Sequence, residues 1–136
     1  MKRRDARQAA FALIFDKSFN ADIACKEILN NAIECEHING YDGDPYIERV
    51  FVGVYDHLEE LDFAIDEASK KWDSTRISRV SRAILRLALY EIRYEDDIPT
   101  KIAVNEAIEL AKTFDSEKAF SFVNGVLGRL ATNFDD

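Results

Sequence analysis

The sequence predicts an all-α protein. Apolar residues recur at helical spacing in one stretch after another, and no segment alternates apolar and polar residues over the length of a strand. Only two prolines and five glycines interrupt 136 residues, of which 47% are hydrophobic. A chain of this size is expected as one domain, 1–136, able to bury a core without metal or disulfide support.

Residues 3–19 read as the first amphipathic helix, with Ala6, Ala10, Leu13 and Ile14 on the core face and Phe11, Phe15 and Phe19 broadening it. Its start is anomalous. Lys2, Arg3, Arg4 and Arg7 crowd the end where the helix dipole is already positive and acidic residues are favoured, with Asp5 the only local relief. Free backbone N–H groups at such an end suit an anion, so arginines there fit phosphate better than they fit folding. The alternative is a basic terminus of no consequence.

Asn20 or Asp22 is expected to cap a second helix of about fourteen residues carrying Ile23, Ile28, Leu29, Ala32 and Ile33. The stretch HINGYDGDP, 37–45, concentrates turn residues and is read as a boundary between two helical halves, which meet again near 72–76. Pro45 suits the first turn of a third helix, whose seam runs Ile47, Phe51, Val54, Leu58, Leu61. A fourth helix is placed at Asp62–Trp72, with mixed-sign pairs among Asp66, Glu67, Lys70 and Lys71.

Ser74 or Thr75 then caps the most apolar helix of the chain, which includes Ser78–Tyr94, SRVSRAILRLALYEIRY. At about 100° per residue, Ile77, Val80, Ile84, Leu87 and Ala88 form one side, and Leu85, Leu89 and Ile92 extend it. A helix so apolar belongs at the centre. The remaining arc carries Arg76, Arg79, Arg82, Arg86 and Tyr90 within roughly 120° of one another, with only Asp73 as an acidic neighbour. Two readings stay open: acidic residues of another helix balance the stripe, or the stripe is a nucleic-acid surface. Glu91 falls on the inner face and requires a hydrogen bond or ion pair from another helix.

Asp96–Thr100 is a break, with Pro99 biasing Ile98 away from helix. The sixth helix, from Lys101, turns Ile102, Ala103, Ala107, Leu110 and Ala111 inward and Lys101, Asn105, Glu109 and Lys112 outward. Asp115 or Ser116 caps the last, whose core face is Phe120, Val123, Leu127 and Leu130 and whose periodicity runs straight through Asn124-Gly125.

The net charge of −8 and pI near 4.8 argue against a non-specific nucleic-acid coat, so polyanion binding has to be local to a basic patch. Cys25, Cys35, His37 and His57 form neither CxxC nor HxxxH spacing, so neither zinc nor a disulfide framework is expected, and no cofactor. The charged start MKRRDAR has no apolar segment of signal-peptide type and no stretch reaches membrane length, so a cytoplasmic protein is expected. Glu91, His37 and His57 are scattered over separate elements, without a nucleophile, base and orienting group in order, so no enzymatic activity is expected.

Four blocks carry a resemblance. RRDARQAA at the start, W72-x-x-x-RISRVSRAILRLALYEIRY, DIPTKIAVNEAIELAKTF and FVNGVLGRL together resemble the NusB family of bacterial transcription antitermination factors, over the first helix and from Trp72 to Leu130. The resemblance implies a compact all-α bundle of about seven helices in two packed sub-bundles, without catalytic activity. It implies binding of single-stranded boxA RNA from ribosomal RNA operon leaders together with the ribosomal protein NusE, and assembly with other Nus factors on RNA polymerase. Lys2, Arg3, Arg4 and Arg7, then Arg76, Arg79, Arg82, Arg86, Tyr90 and Lys101, fall to the RNA; Asn105, Lys112, Phe122 and Asn124 fall to the protein partner. Asp5 and the acidic NFDD tail depart from the pattern and suggest modest RNA affinity without the partner.

The expected mechanism is electrostatic seating of phosphates on lysine and arginine, with Tyr90 stacking on unpaired bases. Its rivals are a helical protein adaptor that binds no RNA and an RNA-delivery subunit of a modifying enzyme. This chain has no room for the cofactor fold of such an enzyme.

Overall fold

The computed structural model describes residues 1–70 and 77–132. Within them lie seven helices: α1 (Arg3–Lys17), α2 (Cys25–Glu34), α3 (Pro45–Asp56), α4 (Leu58–Ser69), α5 (Arg79–Tyr94), α6 (Thr100–Phe114) and α7 (Glu117–Ala131). This is the all-α architecture the sequence predicts. The first three helices pack on one another, α4, α6 and α7 form a second group, and α5 packs against α1, α3, α4, α6 and α7. Ile84, Leu85, Leu87, Ala88 and Leu89 of α5 are accordingly buried on all sides. The connection at 37–45 joins α2 to α3 inside the first group, and the chain passes between groups at His57.

Three helix starts follow from side-chain capping. Asp44 accepts from the Tyr46 amide at 3.0 Å with Pro45 in the first turn. Ser78 accepts from the Ser81 amide at 3.0 Å, and Ser116 from the Ala119 amide at 3.1 Å. Each hydroxyl or carboxylate satisfies an amide that the helix itself leaves without an acceptor. The cap of α5 is therefore Ser78; the expected caps Ser74 and Thr75, like the end of the fourth helix at Trp72, lie outside the described residues.

Three expectations need correction. Neither Asn20 nor Asp22 caps α2: Asn20 turns back to donate to the Asp16 carbonyl at 3.0 Å, and the helix starts later, after Ala24 and without a side-chain cap, with ten residues, not fourteen. The seam Ile47–Leu61 is broken: His57 leaves helical geometry at φ −116°, ψ 21° and divides α3 from α4. Its ring stacks on Tyr94 of α5 at 4.2 Å, a tertiary contact to which local periodicity is blind. Ile102, expected to face inward, is exposed in the first turn of α6.

The α3–α5 contact depends on a glycine. A Cβ on Gly53 would lie 2.4 Å from each of Cε1, Cζ and the hydroxyl oxygen of the buried Tyr90. Gly53→Ala should therefore force these helices apart and destabilise the fold by about 1–3 kcal/mol, measured by urea unfolding.

Candidate nucleic-acid interface

α1 starts without a side-chain cap: Lys2 occupies the capping position, extended, and only its carbonyl bonds the helix, accepting from the Ala6 amide at 3.0 Å. Lys2, Arg3 and Arg4 are exposed there. The Arg3 guanidinium lies 4.3 Å from the centre of the Tyr46 ring, a cation–π contact. Arg4 donates through Nε and Nη2 to the two oxygens of Glu106 at 3.1 and 2.7 Å while its side chain remains 64% exposed. Arg49 of α3 joins this end of the molecule, bidentate to Glu95 at 3.0 and 2.7 Å and 5.9 Å from the same Tyr46 ring. It went unpredicted because a lone arginine in a mixed helix carries no pattern of its own.

Arg7 turns inward, which corrects its assignment to RNA. Its side chain is 4% exposed and that of Glu91 is 1% exposed. Nε and Nη2 of Arg7 donate to Glu91 at 2.9–3.1 Å, Nη1 donates to Glu106 at 3.0 Å, and the Tyr46 hydroxyl donates to Glu91 at 2.9 Å. This is the ion pair that Glu91 required. Burial pushes the Glu91 carboxyl above its ordinary value, against the pull of Arg7 and Tyr46. Burial also draws on Arg7, but the hydrogen bonds and charge of Glu91 outweigh it and hold the guanidinium above its ordinary value. Glu106 moves the other way: the Arg4 hydrogen bonds, offset in part by burial, hold its carboxyl below the usual range.

The stripe on α5 lies at the opposite end of α1. Arg79 donates to the Ser18 carbonyl at 2.7 Å and sits 4.5 Å over the ring of exposed Phe19. Arg82 pairs with Asp66 at 2.9 Å and with Asp62 at 3.4 Å. Arg86 is bidentate to Asp62 at 2.8 Å. For Arg82 and Arg86 the acidic partner from another helix is thus present, on α4. α1 and α5 run antiparallel, since Arg7 meets Glu91 and Ser18 meets Arg79, so the two basic groups stand apart by the length of α1, about 20 Å at 1.5 Å per residue.

Tyr90 is not available as a stacking surface: it is 7% exposed and lies against Gly53, His57 and Tyr94. The aromatic that does accompany the stripe in solvent is Phe19. Lys101 is exposed in the first turn of α6, with Asn105 and Lys112 exposed farther along it; on α7 Asn124 is exposed and Phe122 is half-buried. Arg76 lies outside the described residues. Among the described residues no group of His, Cys, Asp and Glu could hold a metal ion, and no helix is long and apolar enough to cross a membrane.

Comparison with known proteins places the chain in a family. The NusB family profile matches residues 4–132. The transcription antitermination protein NusB of Clostridium acetobutylicum is 41% identical over 136 residues, covering 100% of this chain and 99% of that protein. The solved structure of T. maritima NusB is 35% identical and superposes with a TM-score of 0.85, covering 100% of this chain and 94% of that one. A structure of antitermination factors NusB and NusE in complex with dsRNA is 24% identical with a TM-score of 0.81 over 97% of both chains, a likeness of fold. The chain belongs to the NusB family, a family of transcription antitermination proteins.

Since Glu106 is held low, the stability it contributes is complete above its unfolded value near pH 4.5 and is lost as pH falls through the lowered folded value. Glu91, held high, contributes with the opposite sign. Glu106→Gln should therefore flatten the loss of stability below about pH 4.5, read from urea midpoints across an acid pH series.

Proposed function

We propose that this NusB-family chain is the RNA-recognising subunit of an antitermination assembly, binding single-stranded boxA-type RNA jointly with NusE and, through that pair, serving RNA polymerase with other Nus factors. The observation that carries this reading is the run Lys2, Arg3, Arg4: three exposed cations in succession on a helix N-terminus that already repels them, in a chain of net charge −8. A phosphate there gains the arginine forks and the amides of the first turn together. Arg49 and Lys101 are exposed cations on the starts of neighbouring helices and would extend the contact. Arg7 serves this surface from below by fixing α1 in place.

The face for NusE is assigned to Asn105 and Lys112 of α6 with Phe122 and Asn124 of α7, joined by Ile102 and Phe114, the exposed apolar residues near the two ends of α6. No catalytic step is part of this role. Glu91 is buried in its pair with Arg7, and His37 and His57 stand on different connections.

Titration of a labelled boxA RNA, with and without NusE, tests the reading. Affinity should rise with NusE and fall as salt increases, with a log–log slope of about −2 to −4 for three to five neutralised phosphates. Arg3→Ala with Arg4→Ala should weaken binding at least ~10-fold, and a duplex control should bind more weakly. No binding of either RNA by the folded protein would favour the adaptor role instead.

A further inference from the structure

We infer that the groove between α4 and α7 is the docking site of a second copy of this chain, giving a two-fold dimer in which Phe63 of each copy enters the groove of the other. The groove encloses about 1480 Å³, wider than a small-molecule site, and runs between α4 on one side and the end of α7 with Arg93 of α5 on the other. None of the residues given to RNA or to NusE lines it. This surface is therefore separate from both.

Two residues in the groove do nothing for the fold of a single chain. α4 turns Leu61, Ile65 and Ala68 into the core and leaves Phe63 68% exposed beside Ala64. An aromatic side chain is no better a helix former than a smaller one, and a ring left in water contributes little burial. Across the groove, Gly128 sits in the last turn of α7, where a Cβ would meet no described atom within 4 Å. Internal packing thus does not require a glycine there, and the helix is weaker for it. A ring without a socket and a bare turn of helix without a neighbour, in one groove, suit a protein surface arriving from outside.

The charges choose the occupant. Asp56, Glu59, Glu60 and Glu67 lie on the α3–α4 side, and Arg93 and Arg129 on the α5–α7 side. Glu59, Phe63 and Glu67 follow one another at i, i+4 and i+8, so the ring stands on a stripe between two carboxylates. A purely basic or purely acidic partner matches one side of the groove and clashes with the other. A two-fold axis instead turns the α4 side of one copy onto the α7 side of its partner, so that Glu59 and Glu67 meet Arg129 and Arg93 while Phe63 covers Gly128. A patch that holds the ring, its landing site and both signs of charge is self-complementary, as an interface between identical surfaces requires. Pairing across it offsets the repulsion between two chains of charge −8.

Sedimentation equilibrium of the full chain, across roughly 1 μM to 1 mM, should show the mass rising from 15.6 kDa toward twice that value. Phe63→Ser should raise the dimer Kd at least ~10-fold while leaving the Tm of dilute protein within about 2 °C, because the ring is exposed in the monomer. Gly128→Ala separates docking from a structural role: it should raise the Tm of dilute protein by about 2–4 °C, as helix propensity dictates, and yet weaken the dimer. Glu59→Lys and Arg129→Glu should each be monomeric alone. An equimolar mixture of the two should restore the dimer, since lysine then faces glutamate on one side of the axis and arginine faces glutamate on the other. A wild-type chain that stays monomeric at every concentration overturns the inference and leaves the groove to a different protein. A dimer that persists undiminished in Phe63→Ser, or a charge-swapped mixture that stays monomeric, overturns it equally.

Discussion

The pair Arg7–Glu91 is the constraint on which the rest of the molecule depends. Two full charges sit almost without solvent where α1, α3 and α5 meet, and Tyr46 of α3 closes the set with its hydroxyl. Isolated, either charge would be costly in that position; together, with Glu106 and Tyr46 filling the remaining bonds, they are satisfied. The geometry fixes α1 in rotation as well as in position. With Arg7 pointing into the junction, Arg3 and Arg4, one turn earlier, fall on its rim, on Tyr46 and Glu106. A structural arginine thereby determines where the exposed ones stand.

The same logic separates the cations of the chain into two kinds. Arg82 and Arg86 meet carboxylates of α4, and their charge is largely neutralised within the fold. Lys2, Arg3 and Arg79 meet an aromatic ring or a carbonyl, or remain in solvent, and no carboxylate among the described residues pairs with them in a salt bridge. Under the proposed function, an acidic protein binds RNA at a local group of such cations while the remainder of its surface repels polyanions, which favours a ligand placed by a partner over indiscriminate binding.

The architecture was legible where it rests on local chemistry. The core faces of α5 and α7, Pro45 in the first turn of α3, the cap at Ser116 and the need of Glu91 for a partner all follow from spacing and residue type. The division at His57 was not, because nothing near it breaks a helix; its ring is drawn to Tyr94, thirty-seven positions away. The failure with Arg7 and Tyr90 has the same origin. A helical projection gives the angle of a side chain but not what packs at that angle: Arg7 shares a motif with Arg3 and Arg4 yet meets Glu91, and Tyr90 shares an arc with the arginines yet meets Gly53.

A double-mutant cycle on Arg7→Met and Glu91→Leu tests the central claim. Each single replacement should cost about 3–5 kcal/mol in urea unfolding, since it strands a buried charge. The double replacement should cost far less than their sum, with a coupling of at least ~2 kcal/mol. Additive losses would contradict the account, because they would mean that the two charges are held by the rest of the fold and not by each other.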